Sequence, residues 1–202
     1  DPTDGGSTKR YSLAFDSLRS KANQSTRVTV YGLRGRLNLF QNFTYFLADP
    51  VNGDQVEQAA GRWVSGGKVV HRRLGRIFER HTESSIGASV RHDNVGSVGL
   101  YPTVAKRRLG AYRQDNVQQT TLGVFAQSEV EWTDYFRTTL GLRGDGYRYK
   151  VDAIRSLNDG EGTSGLVSPK ATAVFGPWGG SEIYLNYGRG YHSNDPRAAT
   201  TR

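Results

Sequence analysis

Four histidines, His71, His81, His92 and His192, are the only imidazoles in the chain, and no two stand four residues apart. A helical metal site needs that spacing, and with no cysteine the chain offers no thiolate ligand, thiol nucleophile or disulfide. Residues 61–68 end in Gly67-Lys68 as a phosphate-binding loop does, but the preceding glycines are misspaced and Val69 replaces the magnesium-binding hydroxyl. Gly188-Arg189-Gly190 lacks the third glycine of a dinucleotide fingerprint, and no βαβ pattern surrounds it. No Gly-x-Ser-x-Gly elbow occurs. The chain therefore reads as a non-enzyme: no catalytic residues, no metal site and no cofactor are expected. The basic clusters His71-Arg72-Arg73 and Lys106-Arg107-Arg108 raise the question of nucleic acid. A nucleic-acid surface concentrates its charge in one stripe. Here the cations are spread over many segments, so no nucleic-acid partner is expected. Cations in an outer loop suit the phosphates of lipopolysaccharide or an anionic ligand.

The elements that carry these residues follow from composition and period. Of 202 residues, 25 are Gly and 11 are Tyr, while only 36% are hydrophobic. Each interior Gly costs a helix about 1 kcal/mol, so this composition argues against a helical bundle and for an all-β protein. Residues 27–47 alternate an apolar set (Tyr31, Leu33, Leu37, Leu39, Phe43) with a polar one (Arg34, Arg36, Asn38, Asn42). The same period of two runs through 85–91, 121–132, 137–149 and 182–190, and more weakly through 9–18, 62–73 and 166–176. Eight strands are expected. An unbroken strand over 27–47 would exceed about 60 Å, where globular strands stop near five or six residues.

The connections alternate in length. Links at 74–80, 133–135 and 176–181 are short, whereas 48–61, 93–118 and 152–165 are long. Short turns at one end and long loops at the other are the wiring of a transmembrane up-and-down barrel. A soluble antiparallel barrel or sandwich also alternates, but its polar residues do not crowd strand centres. No apolar run approaches the roughly 20 residues of a membrane-spanning helix. The fold class expected is all-β: an antiparallel up-and-down transmembrane β-barrel of about eight strands, part of a larger barrel. The strict alternation puts Leu37, Leu39, Phe43, Leu122, Val124, Val130, Leu140, Leu142, Ile183 and Leu185 against lipid. Arg36, Asn38, Glu129, Arg143 and Asn186 then face the concave side.

Several stretches together resemble the barrel of TonB-dependent outer-membrane receptors. They are LFQNFTYFLADP at 39–50, GDQ at 53–55 with EQ at 57–58, VGLYPT at 98–103 and TLGLRGD at 139–145. Further along come SPK at 168–170, FGPW at 175–178 and GRGYHSNDPR at 188–197. The resemblance covers nearly the whole chain from about Tyr11, so residues 1–202 read as one partial barrel domain. No stretch resembles the family's N-terminal plug or its TonB-contacting segment, and the last residues lack the usual terminal aromatic strand. An interior piece of a barrel is expected.

The resemblance implies an outer-membrane location and active uptake of a large, scarce ligand, a ferric siderophore or vitamin-like molecule, driven through TonB. Implied partners are outer-membrane lipid and lipopolysaccharide, the TonB complex through a plug outside this chain, and a small-molecule chelate. A passive porin, a small anchoring barrel and a soluble β-barrel binding protein are the alternatives. Lumen-facing candidates are Arg34, Arg36, Asn38, Asn42, Glu129, Glu131, Arg137, Arg143, Asp145, Tyr184 and Asn186. Ligand-binding candidates in loops are Tyr101, Lys106, Arg107, Arg108, His192, Asn194, Asp195 and Arg197.

Overall fold

Period-two patterning becomes one long-stranded sheet. The computed structural model describes residues 2–154 and 158–190. Its strands are β1 (Gly5–Lys21), β2 (Gln24–Gln41), β3 (Val56–Ile77), β4 (Arg80–Val104), β5 (Arg107–Arg108), β6 (Arg113–Thr133), β7 (Phe136–Ala153), β8 (Gly160–Trp178) and β9 (Ser181–Gly188). All pair antiparallel in chain order within a single sheet, with the two-residue β5 set off the path against β4. At 25 residues, β4 is about 80 Å long.

The turns explain the wiring. Phe78 and Glu79 both have positive φ, 49° and 63°, which matches the right-handed twist of the flanking strands. Gly179 and Gly180 do the same between β8 and β9, at 57° and 83°. The opposite end carries loop 42–55 and the connections from β4 through β5 to β6 and from β7 to β8. In the first of these, Asp54 accepts from Thr44 Oγ1 at 2.6 Å and from the Ala48 and Asp49 amides. Asp49 in turn caps the amides of Val51 and Asn52.

Several expected boundaries move. Residues 43–47 belong to a loop rather than to the second strand, and Phe43 is exposed there instead of meeting lipid. Residues 56–61, 93–104, 113–118 and 160–165 are strand, not loop. The ladder between β4 and β6 shifts between Val95 and Val98. That bulge places Val95 and Val98 on one face and inverts the alternation, which hides the strand from a period-two reading.

Residues directly opposite in an antiparallel ladder share a face. One face gathers Leu13 and Phe15 of β1, Val28 and Val30 of β2, Val69 of β3, Ile86 and Val90 of β4, and Leu122 and Val124 of β6. It continues through Leu140 and Leu142 of β7, Val167 of β8, and Ile183 and Leu185 of β9. Most of these side chains are more than half exposed, and the described apolar residues that are buried are only Val64, Tyr101, Val117, Val151 and Val174. Among the described residues there is no packed globular core. The apolar face is an outer jacket, bounded near the turns by Trp132 and the stacked Phe136–Phe175 pair (centroids 4.9 Å apart), and near the loops by Tyr11 and Trp63.

The jacket is slanted. Leu13 lies in a ladder row with Gly32, Ser65, His92, Thr120, Arg148 and Thr163, whereas Leu185 lies in a row with Ala173, Thr138, Val130 and Thr82. Across the pairings from β9 to β1 its centre climbs roughly ten residues towards the loops, and at about 3.3 Å per residue and about 4.8 Å per strand this is a tilt of about 45°. Barrel strands cross a bilayer at that tilt.

The expected facing holds for Leu122, Val124, Val130, Leu140, Leu142, Ile183 and Leu185, and for Glu129, Arg143 and Asn186 on the other side. It is reversed in β2. Leu37 pairs with Thr8 and Ala60, and Leu39 with Gly6 and Gln58, all on the inner face. Arg34, Arg36 and Asn38 are on the outer face, in register with Val28 and Val30. The reason is height along the strand. Beyond Gly32 the outer wall has left the apolar band, so polar residues face out and leucines face in.

Candidate functional site

The inner face is built from Arg-x-Asp pairs, because residues two apart on a strand point the same way. On β4, Arg91 donates from Nε to Asp93 Oδ2 at 2.5 Å and from Nη2 to Oδ1 at 2.9 Å. Arg62 of β3 adds Nη2 to Asp93 Oδ1 at 2.8 Å. On β7, Arg143 grips Asp145 at 2.7 and 2.6 Å, and on β6 Arg113 Nε donates to Asp115 Oδ2 at 2.5 Å. The carboxylates lie beneath: the Asp93, Asp115 and Asp145 side chains are 13%, 1% and 0% exposed, while Arg62, Arg91 and Arg143 remain 42–48% exposed. The wall thus presents guanidinium groups over buried anions. Arg91 and Arg143 hold theirs bidentately and Arg62 shares Asp93. Arg113 reaches Asp115 through Nε alone, and its buried Nη2 has no hydrogen-bond partner among the described residues.

Glycines make room for these side chains. Tyr31 lies across Gly66, its opposite number in the ladder, and Arg143 leans over Gly123. A Cβ on Gly123 would stand 2.4 Å from Arg143 Nη2 and 2.7 Å from Asp145 Oδ1. Together these residues surround an open cavity of about 830 Å³. Arg62, Lys68, Arg91 and Arg143 line it with one acid, Asp93, and with Tyr31, Tyr147 and Gln119. Lys68 Nζ stands over the Phe125 ring at 5.7 Å. An anion entering this cavity meets fixed cations and hydroxyls in a partly shielded setting.

The expected lumen set divides. Glu129, Glu131, Arg137, Arg143, Asp145, Tyr184 and Asn186 lie on the inner face. Nearer the turns, Arg137 forms a bidentate pair with Glu182 at 2.9 and 3.0 Å, and the Tyr184 hydroxyl donates to the same carboxylate. Glu129 accepts from Thr139 Oγ1 at 3.1 Å, and Asn186 Oδ1 accepts from Thr172 at 2.9 Å. Arg34, Arg36 and Asn38 are corrected to the outer wall. Asn42 is buried at the loop mouth, where its backbone N–H donates to Asp4 Oδ2 at 3.2 Å.

The loop set is also revised. Tyr101 is not in a loop but in β4, 3% exposed. Arg108 lies 3.7 Å over its ring and pairs with Glu57 through Nε at 2.6 Å and Nη2 at 3.0 Å. Asn38 completes this clamp with a 2.5 Å bond to Glu57 Oε1. Gln55 Oε1 accepts from Thr103 Oγ1 and from the Lys106 amide, tying the β4–β5 hairpin to β3. Lys106 stands over Phe40 on the outer side, 5.7 Å from the ring centre. Arg107 is exposed on β5. His192, Asn194, Asp195 and Arg197 lie outside the described residues.

The cavity residues that sequence reading passed over are Tyr31, Arg62, Lys68, Arg91, Asp93 and Tyr147. The repeated Arg-x-Asp spacing at 91/93, 113/115 and 143/145 was a signal available for two of them.

A tilted antiparallel wall with an apolar jacket and a charged interior defines a membrane β-barrel. The model for the TonB dependent receptor-like beta-barrel matches residues 1–201, and the chain belongs to that family, whose members are bacterial outer-membrane barrels. The fold is similar to the unliganded ferric citrate transporter FecA (TM-score 0.74, 11% identity, covering 93% of this chain and 28% of that one). It is also similar to the open form of the ferric-catecholate import receptor Fiu from E. coli K12 (TM-score 0.67, 13% identity, covering 92% and 35%). The chain spans about a third of the length of these receptors. No curated protein matches it.

Proposed function

We propose that this wall is part of an outer-membrane receptor that takes up an anionic ferric chelate with energy relayed by TonB. The cavity carries the reading: four cations around one carboxylate, on the inside of a sheet jacketed for lipid. FecA is a ferric citrate transporter and Fiu a ferric-catecholate import receptor, which supports a chelate of that charge. Further strands would pair the free edges of β1 and β9, since lipid does not tolerate open edges. A plug inside the closed barrel would contact TonB. The protein's role is then to bind and pass cargo along a polar lumen without bond chemistry.

The test is uptake of radiolabelled ferric citrate and a ferric catecholate by cells whose sole receptor is this protein. Uptake of at least one should exceed diffusion and fall to background when the TonB complex is deleted. Accumulation that ignores that deletion would make the barrel a passive pore. Lys68→Gln with Arg91→Gln should slow capture of the transported chelate, with less salt sensitivity than the parent shows.

A further inference from the structure

The cation cavity opens into a second one. The two share Tyr31, Ala60, Arg62 and Arg91, and the second, about 570 Å³ in volume, extends loopward over the inner face of β1, β2 and β3. Its floor is apolar: Ala14 of β1, Leu33 and Leu37 of β2, and Ala60 and Val64 of β3. Gly35 lies between the two leucines, opposite Arg10 and Arg62 in the ladder. A Cβ there would meet nothing nearer than Leu33 Cδ2 at 3.9 Å. Neither arginine therefore lies over Gly35, and a furrow runs between Leu33 and Leu37.

Such a floor is out of place in a wet lumen. Leu37 is 41% exposed, and Ala60 is shared with the first cavity, which adds Val95, Val98 and Val117 to the same surface. Scattered exposed leucines need no partner, but a run of apolar side chains beside a polar site marks a binding groove. The residues lining the second cavity include no carboxylate, and Thr8, Arg10 and Ser12 edge it along β1. From the Ala14–Tyr31 row to the Thr8–Leu37 row the strands advance about 20 Å, which leaves a mean cross-section of about 30 Å². That is the width of one hydrocarbon chain.

We propose that the cargo is amphiphilic: an anionic ferric chelate that carries one acyl arm. The chelate sits among Arg62, Lys68, Arg91 and Arg143, and the arm lies along Leu33, Gly35 and Leu37. The inference rests on the chelate reading given above and narrows it. The shared rim sets where head and arm part, because Asp93 fixes Arg62 at 2.8 Å and Arg91 at 2.5 and 2.9 Å. The reversal of β2 supplies the bed for the arm. With Arg34 and Arg36 on the outer wall, the inner face of the same segment is left to Leu33, Gly35 and Leu37. Each methylene buried there strengthens binding by a factor of about four. A plain polycarboxylate chelate has no such arm and leaves the furrow wet.

The experiment is equilibrium dialysis of radiolabelled ferric chelates against the detergent-purified full-length receptor. Two heads are used, a ferric tris-catecholate and the ferric complex of a citrate monoamide. Each is made with a single octyl arm per chelator or with methyl in its place, and receptor-free micelles measure what the detergent takes up. For at least one head, the wild type should bind the octyl form at least ten-fold more tightly than the methyl form. Gly35→Leu fills the furrow without changing charge and should bring that ratio close to one. The methyl form, still bound by the same sample, shows that the variant is folded. Leu37→Asn wets the floor and should lower the ratio in the same direction. Lys68→Gln, which touches the first cavity alone, should weaken both forms by the same factor and keep the ratio. Equal binding of octyl and methyl forms by the wild type would overturn the proposal and leave the chelate reading standing. An octyl preference that survives Gly35→Leu would do the same. Binding of none of the four chelates would overturn both.

Discussion

Arg143 covers Asp145: its Nη2 and Nε reach the two carboxylate oxygens at 2.6 and 2.7 Å, and the Asp145 side chain is fully buried beneath it. The pair leans over Gly123 on the adjacent strand, where no Cβ intervenes. Three such Arg-x-Asp units, on β4, β6 and β7, give the inner wall cations whose partners are out of reach of solvent. A ligand therefore meets guanidinium faces rather than loose, self-quenched ion pairs.

Gly123→Ala should dislodge that pair and destabilise the sheet by about 1–3 kcal/mol, since a buried carboxylate loses part of its hydrogen bonding. Gly146→Ala, on the outer face with nothing near its would-be Cβ, should change stability little. Urea midpoints in refolding lipid vesicles compare the two. Equal midpoints would remove the steric argument.

Facing is tested by placing one charge at two heights. Leu140→Arg lies in the jacket and should cost about 2–4 kcal/mol near the bilayer midplane. Leu37→Arg lies on the inner face and should cost less than about 1 kcal/mol, as a partly exposed substitution among polar neighbours. Unfolding in vesicles with the order of effects reversed would return Leu37 to the lipid side.

Removing Arg108 should release the β4–β5 hairpin. Arg108→Ala leaves Glu57, 3% exposed, with Asn38 alone, at a cost of about 1–3 kcal/mol. Hydrogen exchange should accelerate across residues 101–109, whereas the exposed Arg107→Ala should leave it unchanged. A common exchange rate in the two variants would mean the clamp does not hold the hairpin.

Acid should loosen loop 42–55. Hydrogen bonds from Thr44 and the Ala48 amide hold the Asp54 carboxyl below its ordinary value of 3.8, and bonds from Asn52 and the Val51 amide do the same for Asp49. A carboxyl depressed in the folded state contributes its full stabilisation above the unfolded value and loses it as pH falls through the folded one. Protease nicking of this loop should therefore stay flat from neutral pH down to about 4 and rise below that. Asp54→Asn should nick faster at neutral pH with a flatter acid response.

The sequence by itself determined the strands, their order and the antiparallel class, because alternation, turn residues and loop lengths are local properties. It also determined the jacket on β6, β7 and β9, where every apolar residue of the period sits at bilayer height. Tertiary structure alone decided the facing of β2. A strand longer than the bilayer is thick reverses its pattern above the lipid, and only its register with Val69 and Val90 shows where lipid ends. The bulge near Val95 and Val98 likewise broke the period and disguised half of β4. The cavity, too, waited on register: Arg62, Arg91 and Arg143 are far apart in the chain, and three tilted strands bring them to one wall around buried aspartates.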